Sequence, residues 1–219
     1  MIHPSTQVGP RPWEGSAMLE GPLVFIDVDT QRDFLDLDGA LFIAGSGAIR
    51  PNLARLTAFA RDQHIPILAS ACAHEPGDPE FDVFPPHCLL GTEGQNRVEE
   101  TDWPGGDIVE PGSGVSLESI PAHLTIHKQA YDVFSTPETD AVIALYAQNR
   151  PTFVVYGVAT DYCVRCVVDG LLERGHKVAI VVVAIRAVDP SREADELTRF
   201  AQGGALLTLA EVVCANIPL

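Results

Sequence analysis

Residues 153–175 read Phe153-Val-Val-Tyr-Gly-Val-Ala-Thr-Asp-Tyr-Cys163-Val-Arg-Cys-Val-Val-Asp-Gly-Leu-Leu-Glu-Arg-Gly175, and this stretch decides the fold. Phe153–Tyr156 is a short unbroken apolar run, the pattern of a strand buried on both faces. A turn follows, and Cys163–Arg174 then reads as a helix closed by Gly175. Lys177–Val183 is apolar again. Strand, turn, helix and strand make a βαβ unit, the building block of a parallel sheet.

The same alternation extends in both directions. Leu23–Val28, Ile65–Ser70, Leu124–His127 and Ala205–Thr208 read as further strands. Pro66 puts its strand at an exposed edge or marks its entry end. Asn52–Gln63 is helical after Pro51, and a second helix runs from Thr136 as N-cap, with Pro137 at N1, to about Gln148. Pro190 or Ser191 opens another helix ending near Gly203, and Glu211–Cys214 is a terminal turn. The expected architecture is α/β, a three-layer α/β/α domain over 22–219 around a central, mainly parallel six-stranded sheet. Residues 1–21, rich in Pro and Gly, read as a flexible leader that reaches onto a partner subunit.

Composition narrows the function classes. A chain of 219 residues is long enough to bury a single core. Fourteen basic against thirty acidic residues give a net charge of −16, which argues against nucleic acid and anionic lipid as partners. The longest apolar runs are too short to span a bilayer. Five cysteines are an odd number and no disulfide framework. Residues 1–21 lack a signal-peptide apolar centre, so a reducing cytoplasm is the default compartment.

In open parallel sheets, ligands bind beyond the carboxyl ends of the strands. Those ends carry Asp27-Val-Asp29-Thr-Gln31-Arg-Asp33-Phe34, then Cys72-Ala-His74 with Glu80 and Phe84-Pro-Pro-His87, then Lys128-Gln-Ala-Tyr131, then Gly157–Cys163. Cys163 opens a helix that Thr160 or Asp161 can cap. The helix dipole and amide N–H groups there favour a thiolate and can hold an oxyanion. Asp29 can take the thiol proton, in competition with Asp27, which shares its strand face. Lys128 between acid and sulfur would keep both charged. Asp33 reads as a loop cap. His74, Glu80 and His87 are a candidate ligand set for zinc, iron(II) or manganese. Phe34, Phe84 and Tyr131 are candidates to flank an aromatic ring. Cys88, Cys166 and Cys214 read as structural thiols.

Together these segments resemble the isochorismatase-like cysteine hydrolases, and among them the nicotinamidases, over roughly Leu23–Val213. Asp29-Thr-Gln31-Arg-Asp33-Phe34, Lys128 in its Lys-x-x-Tyr-x-x-Phe setting, and Gly157–Val164 carry the resemblance. It implies Asp29, Lys128 and Cys163 as the catalytic set, with a cis bond between Val158 and Ala159. It also implies oxyanion donors near Ala159 and Cys163, and Phe34 and Phe84 around a pyridine ring. His74, Glu80 and His87, followed by Cys88, resemble the nicotinamidase metal segment. Cys72 stands where that family usually has an aspartate ligand, and either joins the metal as a thiolate or stays outside it. The implied activity is hydrolysis of nicotinamide or a related small aromatic amide to the acid and ammonia through a thioester. Such a reaction belongs to NAD salvage, with a divalent ion, zinc first and iron or manganese next, and a homo-oligomeric state. Two other readings remain: the same residues acting on another amide, a ureido compound or a vinyl ether; or a non-catalytic metal-binding or thiol-sensing protein, the latter using Cys163 and Cys166.

Overall fold

β1 (Leu23–Val28) runs through the middle of a seven-stranded sheet in the computed structural model, which describes residues 19, 21–117 and 119–215. The expected leader lies outside these residues apart from Leu19 and Gly21. The other strands are β2 (Ile67–Cys72), β3 (Asp107–Val109), β4 (His123–Lys128), β5 (Thr152–Val158), β6 (Lys177–Arg186) and β7 (Leu206–Thr208). Their order is β3-β4-β2-β1-β5-β6-β7, and every pairing is parallel. All six residues of β1 and of β2 are buried, which explains their unbroken apolar character.

Helices cover both faces. They are α1 (Arg32–Leu35), α2 (Arg50–Asp62), α3 (Thr139–Tyr146), α4 (Cys163–Glu173), α5 (Glu193–Gln202) and α6 (Ala210–Ala215). Leu53, Leu56 and Ala60 of α2 join Phe25, Ile67 and Tyr156 in one core layer. Val142 and Ile143 of α3, with Val164, Val167 and Leu171 of α4, pack on Val24, Ile26 and Val28 from the other side. Strand alternation thus divides β1 between two cores. Among the described residues no helix is long and apolar enough to cross a membrane.

Three expectations need correction and one is narrowed. The sheet has seven strands rather than six, because the three residues of β3 pair with β4 at an edge. Of the two readings of Pro66 the entry end holds, since it precedes a central strand flanked by β1 and β4. Thr136 is no N-cap. The Asp132 carboxylate accepts the Phe134 amide at 2.9 Å and winds Val133–Ser135 into a 3-10 turn, so α3 starts only at Thr139. The last helix begins at Ala210, where only a turn was expected.

The strand order positions the site. From β1 the chain proceeds through β2 to β4 on one side, and β5 docks on the other. Such a reversal leaves a crevice at the strand ends. Asp29 follows β1 and Cys163 follows β5, so both fall at that crevice.

Candidate active site and metal centre

Asp29, Lys128 and Cys163 arrive from β1, β4 and the start of α4 and meet in the interior. Asp29 has a positive φ of 49°, a left-handed turn that aspartate tolerates better than most residues. One carboxylate oxygen accepts the Ser70 hydroxyl at 2.6 Å, and the other lies 2.9 Å from Lys128 Nζ. Lys128 is fully buried, and its ammonium also donates to the Ala130 carbonyl at 3.1 Å, to Cys72 Sγ at 3.1 Å and to Cys163 Sγ at 3.6 Å. Burial opposes the charge on Lys128, but Asp29 together with Cys163 and Cys72 outweighs it and holds the ammonium well above the usual lysine range. This is a desolvated ion pair, in which either partner alone would be an uncompensated charge.

The electrostatics of Cys163 differ from the sequence expectation of a thiolate. Burial pushes its pKa well up; Lys128 pulls it down, and the hydrogen-bonded Asp29 carboxylate pushes it up again. Burial therefore favours the neutral thiol over the thiolate at this site. The capping expectation also fails. Asp161 accepts the amides of Val188 and Asp189 at 2.9 and 3.2 Å, and Thr160 Oγ1 is buried without a partner. Tyr162 occupies the N-cap position and makes no side-chain cap. The Ala159 carbonyl accepts the Tyr162 and Val164 amides, which closes the turn before α4. The Val158–Ala159 peptide is cis. Asp27, the competitor of Asp29, is removed from the sulfur by an ion pair with Arg97 and a 2.8 Å bond from Thr30.

Beside the sulfur, Cys72, His74 and His87 bring one potential ligand atom each within 4.8 Å of one another. The outer nitrogens of the two histidines are already engaged. His74 Nδ1 is 2.9 Å from Asp78 Oδ2, and His87 Nδ1 is 2.9 Å from the Pro85 carbonyl. Partners of that kind orient metal-ligating imidazoles and leave Nε2 as the free donor. His74 Nε2 is buried with no hydrogen-bond partner. Glu80 Oε1 lies 3.5 Å from His87 Nε2 and 4.0 Å from His74 Nε2. Two imidazole nitrogens, a carboxylate and a sulfur suit a divalent ion of the zinc type, so the residues fit the group. Cys72 Sγ is shared with Lys128, and burial pushes its thiol up to about 12; metal binding would have to displace that proton.

A narrow cavity of about 30 Å3 opens between these groups, lined by Phe34, Phe84 and Tyr131. Phe84 meets Tyr131 and Tyr162 edge-on at 6.0 and 5.5 Å, and Phe34 tilts against His87 at 5.3 Å. Tyr162, Leu41, Ile43 and Val188 complete the wall and were not foreseen. Other unforeseen residues are Ser70, Asp78 and Gln31. The Gln31 amide holds Cys72 through bonds to its carbonyl and from its amide, at 2.8 and 2.7 Å. Asp33 ties the surrounding loops together, accepting the Ala40 and Cys88 amides at 3.0 and 2.6 Å. Of these, only Asp78, four residues after His74 across a tight turn, had a spacing that pointed to its partner.

Fold and site define an α/β protein with a cysteine, a lysine and an aspartate at the strand ends beside a metal-ligand cluster. Comparison with known proteins narrows this. The isochorismatase domain model matches residues 113–212. A nicotinamidase/pyrazinamidase from Mycobacterium tuberculosis is 26% identical over 166 residues, covering 72% of this chain and 82% of that protein. The structure of the Pyrococcus horikoshii pyrazinamidase in complex with zinc is similar with a TM-score of 0.70 at 23% identity, over 86% of this chain and 99% of that one. N-carbamoylsarcosine amidase from Thermoplasma acidophilum gives 0.68 at 22% identity, over 87% and 98%. The chain is thus similar to isochorismatase-domain proteins over residues 113–212 and to a nicotinamidase/pyrazinamidase over most of its length.

Proposed function

We propose that this protein is a cysteine hydrolase that converts nicotinamide, or a related small aromatic amide, to the acid and ammonia through a thioester. One observation carries the reading: a buried thiol, a carboxyl and a lysine amine share one contact cluster at the floor of an aromatic-walled cavity.

Asp29 takes the proton of Cys163 as the sulfur attacks the amide carbon, and the Lys128 ammonium offsets the negative charge of the acid and sulfur. The carbonyl electrons move to oxygen, where the N–H groups of Ala159 and Cys163 are the proposed donors. The oxyanion collapses, the C–N bond breaks, and protonated Asp29 gives its proton to the departing nitrogen, which leaves as ammonia. Asp29 then takes a proton from water as the hydroxide adds to the thioester. The C–S bond breaks, and the proton returns to sulfur. Phe34 and Phe84 hold the ring while this occurs. A divalent ion held by His74, His87, Glu80 and Cys72 would supply a Lewis-acidic anchor for a ring heteroatom.

Among the alternatives within the superfamily, an uncharged amide is favoured over carboxylate-bearing substrates. Among the described residues no arginine or lysine lines the cavity wall, and the ammonium behind it is already engaged by Asp29 and Ala130. The test is ammonia release from nicotinamide, with intact-mass detection of an acyl adduct on Cys163. Cys163→Ala should lower the rate by about 10³-fold or more. Undiminished turnover in that variant would remove the nucleophile assignment.

A further inference from the structure

β2 carries one hydroxyl in an otherwise apolar run, Ile67-Leu-Ala-Ser70-Ala-Cys72, and Ser70 is only 3% exposed. Burying a hydroxyl is costly unless it is hydrogen-bonded. Ser70 sits opposite Val28 in the parallel ladder, one residue before Asp29. From there it holds Asp29 twice. Its carbonyl accepts the Asp29 amide at 3.2 Å, and its hydroxyl donates to Asp29 Oδ1 at 2.6 Å. A cavity of about 20 Å3 lies against Ser70, and apart from Thr139 the rest of its lining is apolar, Ile26, Leu68 and Val167 included. A water taking the place of the hydroxyl would find few polar partners there.

The two oxygens of the Asp29 carboxyl therefore have different neighbours. Oδ1 is taken by the Ser70 hydroxyl. Oδ2 lies 2.9 Å from Lys128 Nζ and 4.0 Å from Cys72 Sγ, and Lys128 in turn reaches Cys163 Sγ at 3.6 Å. An ionised carboxyl accepts at both oxygens, and a hydroxyl donating to one of them leaves the other for an incoming proton. A general base must lie within hydrogen-bond reach of the proton it takes. The torsion that sets the plane of an aspartate carboxyl is broad, so the side chain does not fix that plane by itself. The bond from Ser70 fixes it from one side as Lys128 does from the other.

We infer that Ser70 is a positioning residue: its hydroxyl sets the plane of the Asp29 carboxyl so that Oδ2 receives the Cys163 proton. This role rests on the reaction proposed above. The test compares Ser70→Thr with Ser70→Val in the full chain. The two side chains have the same shape and differ in the hydroxyl, β-branched residues suit a strand, and the cavity beside Ser70 leaves space for the added methyl. With nicotinamide as substrate and ammonia as the readout, Ser70→Thr should keep kcat within about threefold of wild type. Ser70→Val should lower kcat by at least about tenfold, the loss of one hydrogen bond to a carboxyl, with KM changed by less than about twofold. A residue needed for packing alone would move the melting temperature without separating threonine from valine in kcat. If the branched variants do not fold, Ser70→Ala against the wild-type chain makes the same comparison. Equal kcat with and without the hydroxyl, or a difference confined to KM, overturns the role of Ser70 and leaves Asp29 and Cys163 in place. Ammonia release that is absent from the wild-type chain, or kept in Cys163→Ala, overturns the proposed reaction and this role with it.

Discussion

Lys128 has no contact with water and is held by groups that each need it, so its removal should act on stability and chemistry separately. Lys128→Met leaves the Asp29 carboxylate buried without its counter-charge, and breaking a buried pair in this way costs ~3–5 kcal/mol. Urea denaturation should register that loss. Pairing it with Asp29→Asn removes both charges and should restore much of the stability, but ammonia release should stay absent in the double variant. Recovery of activity there would remove Asp29 from the proton path. At this scale the sequence was informative where chemistry-bearing residue types fell directly on strand ends, as Asp29, Lys128 and Cys163 do. It was silent where a role depends on which strands are neighbours. Ser70 reaches Asp29 only because β2 lies beside β1, and Gln31 grips Cys72 for the same reason. Asp161 looked like a helix cap because it precedes α4 closely, but the Val188–Asp189 backbone, close only in the folded chain, supplies its partners.

Among elements, the junction of β5 with β1 is the most constrained. Gly157 has a φ of +114°, and a Cβ there would run into the Val28 carbonyl oxygen, the partner position across the ladder. Gly157→Ala therefore meets both a backbone penalty and a clash. It should destabilise by about 3 kcal/mol or more, read as a large fall in melting temperature; a melting point within a few degrees of wild type would show that the strand can shift aside. The entry to α2 is held differently. Arg50 makes two bonds to Glu100 at 2.7 and 2.9 Å and one to Asp36 at 2.7 Å. Burial acts to raise both carboxyls, but Arg50 outweighs it and keeps each below its ordinary value. Their contribution is accordingly full above the unfolded carboxylate range near pH ~4 and is lost as pH falls through the depressed values. Arg50→Met should cost about 1 kcal/mol at pH 7 and much less at pH 3, a difference that urea midpoints at the two pH values will show. Periodicity located α2, α4 and the long strands to within a few residues, since each buries a continuous apolar face. β3 is three residues long with two of them exposed, so its existence depends on pairing to β4, and the local pattern carried only a hint of extended structure at Asp107–Glu110.

For the molecule as a whole, the candidate metal centre joins parts of the chain that the sheet alone does not. Cys72 and His74 belong to the end of β2 and the residues after it, whereas Glu80 and His87 lie on the long excursion that follows. That excursion meets the strand end through backbone bonds of His74 and Leu90, at 3.1 and 3.0 Å, and through the Asp33–Cys88 contact. An ion bound by residues from both sides exists only on the folded chain, so it stabilises by mass action. At a hundredfold excess over its dissociation constant the gain is about 2.7 kcal/mol, or roughly 5–10 °C in a domain of this size. Protein stripped with a chelator and dialysed should therefore melt lower than the same protein given zinc, with a shift that grows with the logarithm of free zinc. His87→Ala should remove most of that shift because it deletes a donor from the excursion. His64→Asn makes an informative control. His64 is exposed, precedes β2 at the end opposite Cys72, and sits at a φ of 54°, a conformation that asparagine accepts. It should leave the zinc response intact. Identical melting curves with and without zinc in verified metal-free protein would show that Cys72, His74 and His87 converge for packing alone, and the ring anchor would then have to be sought among Tyr131, Tyr162 and Glu80.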